Sequence, residues 1–395
     1  MIKKYKKFLY DVILNIVSSI LLSSAIQLII FPLLSREMGD VRFGIIISLY
    51  GINNVIVNFL GNSLNNIRLI YDDETQEKGN FSYLLIIALV ITTIMSVTFY
   101  YVYGRNLSFL ENLITVLFTM LGTVKIYALV IFRISLEYNK LILTNFITIL
   151  GYGIGLIVYY IIPIWSVIFL VGEILAILYI HVTTNIFEEK PKKTREFPQL
   201  LKSFLQLSGS NSIVNVMNYL DRFLINPILG PANLAVYYSA SSVSKIISMV
   251  INPVTNVLLS YISKYKGDNN KKVIYLITGV SSLLLLPIYL LLNFISPYLI
   301  SLLYPDLFSS AQKYIWIITL GTVLTLINSI LNPLILKFCD IKYQMHIQTI
   351  YGLFYLVSAT ILSVGYGLMG FSIATVLSLF IKFCIMFYIG IRFSS

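Results

Sequence analysis

Apolar residues run in long stretches along this chain, and short polar connections separate them. A membrane-crossing helix needs about 20 mostly apolar residues. Twelve stretches of that kind can be counted, over residues 11–34, 42–63, 81–103, 110–132, 139–160, 164–184, 200–225, 233–260, 273–295, 313–336, 345–366 and 368–392. None shows the two-residue alternation over about ten residues that marks a membrane β-strand. The pattern predicts an all-α integral membrane protein with twelve transmembrane helices. No cleavage pattern follows the cluster Lys3, Lys4, Lys6 and Lys7, so the first helix is expected to stay in place.

Polar residues inside the spans are not scattered. In the second span Asn54, Asn58, Asn62 and Asn65 share one helical stripe. In the seventh the stripe is Asn211, Asn215, Asn218 and Arg222, and in the eighth it is Ser241, Lys245, Ser248, Asn252 and Thr255. The first span carries a shorter one, Ser19, Ser23 and Gln27. In lipid a polar side chain needs a partner or a wet cavity, so these faces are expected to turn away from lipid. Either they line a water-filled cleft or they bond across packed helices. A charge on a stripe favours water.

Composition narrows the class. Hydrophobic residues make up 58% of the 395 and charged residues 11%, against about 25% charged in soluble domains. That excludes a soluble enzyme, a secreted module and an intrinsically disordered chain. The net charge of +11 sits in short loops, which points to membrane topology rather than to nucleic acid. With the N-terminus inside, about 20 of the 28 Lys and Arg residues fall in inner segments and about 4 in outer ones. Both termini are therefore expected in the cytoplasm, with the chain crossing the membrane many times.

The connection 185–198, rich in charge and bounded by Pro191 and Pro198, reads as a solvated linker. It divides the chain into an N-terminal six-helix lobe (1–184), a cytoplasmic linker (185–199) and a C-terminal six-helix lobe (200–395). A faint repeat supports two halves. LLSREMGDVRFGI (Leu33 to Ile45) aligns with LINPILGPANLAV (Leu224 to Val236), pairing Gly39 with Gly230, Phe43 with Leu234 and Gly44 with Ala235. Two parallel six-helix repeats around a central cavity are a transporter plan.

Candidate chemistry is sparse. Cys339, Cys384, His181 and His346 form no metal-ligand or disulfide pattern, and no Walker A loop is present. No catalytic residue, metal or cofactor is expected. The informative groups are embedded charges. A cation at the bilayer centre costs at least about 2.5–3.5 kcal/mol, so it serves a pathway or an ion partner. Lys245 lies near mid-membrane in the eighth span, and Arg222 near the outer end of the seventh. Asp221 is a candidate counter-ion. Lys125 and Glu173 serve either function or structural pairing. Lys382 is close enough to the inner face to snorkel. Arg36 is an interfacial anchor or a substrate contact. Four embedded cations (Lys125, Arg222, Lys245 and Lys382) against two acids suit an anionic substrate such as a phosphate-bearing headgroup.

Three segments carry a family likeness. REMGDVRFG (Arg36 to Gly44), YLDRFLINPILGPANLAVYYSASSVSKI (Tyr219 to Ile246) and VGYGLMGFSIATVLS (Val364 to Ser378) resemble polysaccharide repeat-unit flippases of the Wzx type. Those flippases, for O-antigen or capsule, belong to the multidrug/oligosaccharidyl-lipid/polysaccharide exporter superfamily. Asp221, Arg222, Gly230, Tyr237, Ser239 and Ala240 stand at family-like spacing, while Phe43 stands where the family often has Tyr. The resemblance implies two six-helix lobes around a cationic cavity. It also implies an undecaprenyl-diphosphate-linked oligosaccharide as substrate, carried from the inner to the outer leaflet by alternating access. On this chain the cationic role falls on Lys245 and Arg222, with Lys125 and Arg36 behind them. Asn54, Asn58, Asn211, Asn215, Asn218 and Ser241 would meet sugar hydroxyls, and Asp221 and Glu173 are candidates for ion coupling. Expected partners are the lipid-linked oligosaccharide, membrane lipids, and a polymerase and glycosyltransferases of the same pathway, with no nucleic acid. Rival readings are a drug/cation antiporter of the same fold, a lipid II flippase and a membrane-embedded polysaccharide polymerase.

Overall fold

A computed structural model describes residue 17 and residues 20–72, 77–263 and 270–393, without the side chains of 210–215, 248–263, 270, 341 and 342. Every regular element among the described residues is helical. Chain order gives α1 (Phe31–Val57), α2 (Ser63–Tyr71), α3 (Gly79–Tyr103), α4 (Phe109–Ala128), α5 (Val130–Ile134), α6 (Tyr138–Ile161) and α7 (Trp165–Thr183). There follow α8 (Phe197–Asn218), α9 (Leu220–Leu229), α10 (Pro231–Ser263), α11 (Asn270–Leu303), α12 (Pro305–Ala311), α13 (Ile315–Phe338) and α14 (Ile341–Phe393). Among the described residues eight helical runs are long and apolar enough to cross a membrane, which makes this a multi-pass membrane protein. Two of them, Ile20–Tyr71 and Tyr343–Phe393, have 52 and 51 residues. Each is broken at a glycine with non-helical dihedrals, Gly39 and Gly367.

By contact the described residues form two compact units. The first holds residues up to Ile26 together with Ile45–Arg222. Its helices pack tightly where side chains are smallest: a Cβ on Gly151 would lie 2.6 Å from the Cα of Gly172. An aromatic core joins Tyr50, Phe118, Trp165 and Phe169, with rings 5.1–6.5 Å apart. Hydroxyls that lipid cannot satisfy bond inside the bundle. Tyr100 pairs with Thr119 at 2.6 Å, and Thr115 donates to Glu111 O and to Ser166 Oγ. A capping box starts α4. Ser108 Oγ accepts from the Glu111 N–H, and Glu111 Oε2 accepts from the Ser108 N–H.

The segment expected as a solvated linker is mostly exposed, and it is also strapped to this unit at a few points. Arg68, 2% exposed, donates through both terminal nitrogens to Glu189 (2.7 and 2.5 Å) and also to Tyr127 Oη at 2.6 Å. Asn80 exchanges two bonds with Thr194, and Lys192 N–H donates to Gly79 O. Ile186 and Phe197 are buried. Charge density suggested solvation, and most of the charged side chains are exposed, while Glu189, Thr194 and the Lys192 N–H meet partners on α2 and α3. Their spacing in sequence could not reveal those partners.

The second unit holds Gln27–Gly44 with Phe223–Ser395. The first turn and its repeat partner have the same backbone device: Gly39 and Gly230 take φ of +69° and +90°, a region open to glycine. Four residues on, Phe43 and Leu234 are fully buried. The two turns meet, because a Cβ on Gly44 would lie 2.5 Å from the carbonyl carbon of Pro231 and overlap its oxygen. Phe31, Phe43, Tyr238 and Tyr304 form one buried aromatic cluster, with centroids 5.5–6.4 Å apart.

Candidate functional site

The embedded charges fall into separate settings. In the first unit the turn between α8 and α9 carries Tyr219, Asp221 and Arg222. The Arg222 backbone N–H donates to Asp221 Oδ1 at 3.0 Å, in the first turn of α9. The Arg222 side chain is 6% exposed and lies 4.6 Å from the Tyr219 ring centroid. It fits a notch in α1: a Cβ at Gly51 would stand 2.8 Å from Arg222 Nη1 and overlap its Cδ. Tyr50, next to that notch, is within electrostatic range of both Arg222 and Glu173.

Glu173 on α7 accepts from Lys125 Nζ on α4 at 2.7 Å, with side chains 5% and 8% exposed. The structure shows these two residues paired with each other. Two opposite charges so close offset much of each other's desolvation.

Lys245 belongs to the second unit. Its Nζ stands 3.6 Å from the Tyr238 ring centroid, against the aromatic cluster, a cation–π contact. Ser241, one turn earlier, is buried and donates to Tyr238 O. Lys382 reaches Gln348 Oε1 at 3.5 Å and the Tyr351 ring at 4.7 Å. Arg36 donates to Leu302 O at 2.6 Å, which satisfies a carbonyl in the last turn of α11.

The asparagines differ among themselves. Asn54 and Asn58 are half-buried and donate to the carbonyls of Tyr50 and Asn54, each at 2.8 Å. Asn58–Asn62 is a π-helical turn, a feature frequent at functional sites. Asn65 is a latch: it donates to Ile126 O and accepts from Arg133. Asn218 is exposed. The side chains of Asn211, Asn215, Ser248, Asn252 and Thr255, and the whole of Ser19, lie outside the described residues. No cluster of His, Cys, Asp and Glu suited to a metal occurs among the described residues.

Charge placement in the sequence singled out the cations but missed Tyr50, Tyr219, Tyr238 and Gly51, the groups that seat them. With 29 tyrosines in the chain, no single one announces itself. A testable consequence concerns the notch. Gly51→Ala should move the Arg222 side chain while costing about 1–3 kcal/mol. Transport should fall at unchanged protein level, and a folded variant with full transport would show that the seat of Arg222 does not matter.

The described residues form a helical membrane bundle with buried cations, and comparison with known proteins supplies its class. The inward-facing structure of a multidrug resistance MATE family transporter of the MOP superfamily superposes with TM-score 0.60 at 13% identity, covering 96% of this chain and 93% of that one. The lipid II flippase MurJ in an inward closed conformation gives 0.67 at 16%, covering 98% and 87%. The Vibrio cholerae MATE transporter VcmN in the bent form gives 0.54 at 11%, covering 98% and 97%. These likenesses establish the fold. Residues 9–266 match the family model described as polysaccharide biosynthesis protein, and residues 207–361 match the MatE model. The chain belongs to the polysaccharide biosynthesis protein family, as the Wzx-type resemblance of its turns implies. No curated protein matches the sequence.

Proposed function

We propose that this protein is a flippase that moves undecaprenyl-diphosphate-linked oligosaccharide repeat units from the inner to the outer leaflet of the cytoplasmic membrane. It would serve capsule or O-antigen synthesis beside a polymerase and glycosyltransferases. The observation that carries the reading is the pair of embedded cations, Arg222 and Lys245, in a member of the polysaccharide biosynthesis protein family. In this reading twelve crossings form two six-helix lobes, 1–184 and 200–395, joined by 185–199, with both termini in the cytoplasm. The broken runs Ile20–Tyr71 and Tyr343–Phe393 each count as two crossings.

The diphosphate pairs with Lys245 and then Arg222 as access alternates, with Lys125 and Arg36 as further candidates. Asn54, Asn58, Asn211, Asn215, Asn218 and Ser241 offer donors and acceptors to sugar hydroxyls, while the prenyl chain stays in lipid. Asp221 and Glu173 are the acids that ion coupling would use. An anion leaving an inside-negative cell gains about 2.3 kcal/mol per charge per 100 mV, so the membrane potential alone can drive export.

The test is complementation of a flippase-deficient strain. Arg222→Gln with Lys245→Gln should leave lipid-linked units on the inner leaflet and abolish surface glycan at normal protein level. Undiminished surface glycan would remove the cation-based reading. Loss of viability on deletion, with surface glycan intact, would redirect the substrate to a peptidoglycan precursor.

A further inference from the structure

The two ends of α14, on either side of the break at Gly367, meet at a site that the transport reading does not use. A groove of about 510 Å³ is lined by Tyr343, His346, Ile350, Cys384, Tyr388 and Phe393, among others. The volume is in the range of small-molecule sites. Its walls are largely apolar, and two of the lining residues are tyrosines, a residue type enriched at the membrane–water boundary. Arg392 lies over this wall. Its guanidinium carbon is 5.6 Å from the ring centroids of both Tyr388 and Phe393, and it donates to Tyr388 Oη.

From the groove an exposed apolar stripe climbs the same helix through Ile350, Leu353, Val357 and Ile361, each at least 48% exposed. From Ile350 to Ile361 the rise is about 16 Å, close to half of the roughly 30 Å hydrocarbon core. That is the reach of one acyl chain in one leaflet. A cation at the mouth and a one-leaflet apolar track describe a lipid with a negatively charged headgroup. We propose that this groove binds an anionic phospholipid of the surrounding bilayer, its phosphate on Arg392 and one acyl chain along Ile350–Ile361. The assignment is independent of which substrate is flipped.

Cys384 provides the readout, because it is exposed in the groove wall while Cys339 is buried. Burial, with Asp340 adding to it, pushes the Cys339 thiol up to about 11, which slows its reaction further. The full chain is placed in nanodiscs at one copy per disc and treated with N-ethylmaleimide, and Cys384 labelling is followed by peptide mass. Phosphatidylglycerol added to phosphatidylcholine should slow labelling about fivefold, the enrichment that one basic side chain confers near an anionic surface. Arg392→Gln should react as the parent does in pure phosphatidylcholine and lose the slowing. Equal parent rates in both lipids, or slowing that persists in Arg392→Gln, would overturn the site. So would protection by polyprenyl phosphate with none by phosphatidylglycerol, or protection seen only in discs holding two copies.

Discussion

Glu173→Leu is expected to destabilise the purified protein by about 3–5 kcal/mol, because it leaves the Lys125 ammonium without its counter-charge in a buried setting. The pair is 2.7 Å apart, and in the folded chain each charge is the main compensation for burying the other. Lys125→Met combined with Glu173→Leu should recover most of that loss, since a well-packed apolar pair replaces a buried ion pair at little cost. Denaturant unfolding of the two single variants and the double variant gives the coupling energy directly. Transport by the double variant then separates the two roles that the sequence leaves open. Normal export at recovered stability assigns the pair to structure, whereas recovered stability without export assigns it to coupling. Near-additive losses would mean that the two charges do not stabilise each other.

Gly44→Ala is the second large effect. A single methyl group there overlaps the Pro231 carbonyl. The atoms it meets are backbone and the methyl group has no rotamers, so no side-chain change relieves the conflict. Separating the turns 36–44 and 229–236 should cost about 1–3 kcal/mol or more and loosen the Phe31, Phe43, Tyr238 and Tyr304 cluster, the wall against which Lys245 rests. Thermal unfolding in detergent should show a lowered midpoint. Gly39→Ala, where no atom lies within 4 Å of the added Cβ, should lose less, and only through its backbone dihedrals. Equal losses at the two positions would contradict the steric account.

Much of this was legible in the sequence. Apolar run length announced the helices, because lipid leaves no other way to satisfy a backbone within a span. The weak repeat of Gly39 on Gly230 proved to be a shared positive-φ turn, since glycine at that position reports backbone geometry rather than chemistry. Less was legible about partners. Nothing in the spacing of Arg68 and Glu189 foretells a bidentate bond across 121 residues. Nor does the sequence show that residues 27–44 pack with the second unit rather than with the span that follows them. Asn65 sits on the same stripe as Asn54 and Asn58, yet it is held by Arg133 and the Ile126 carbonyl. A helical period places a residue on a face but does not say which neighbour meets it there.

Reconstitution tests the central claim most directly. Purified protein in liposomes carrying an undecaprenyl-diphosphate-linked oligosaccharide on one leaflet is assayed for lectin access from the opposite side. Lectin-accessible oligosaccharide should rise with time in the presence of the parent protein and stay at the protein-free level with Arg222→Gln plus Lys245→Gln. A double variant that translocates the lipid as fast as the parent would contradict a passage built on those two cations.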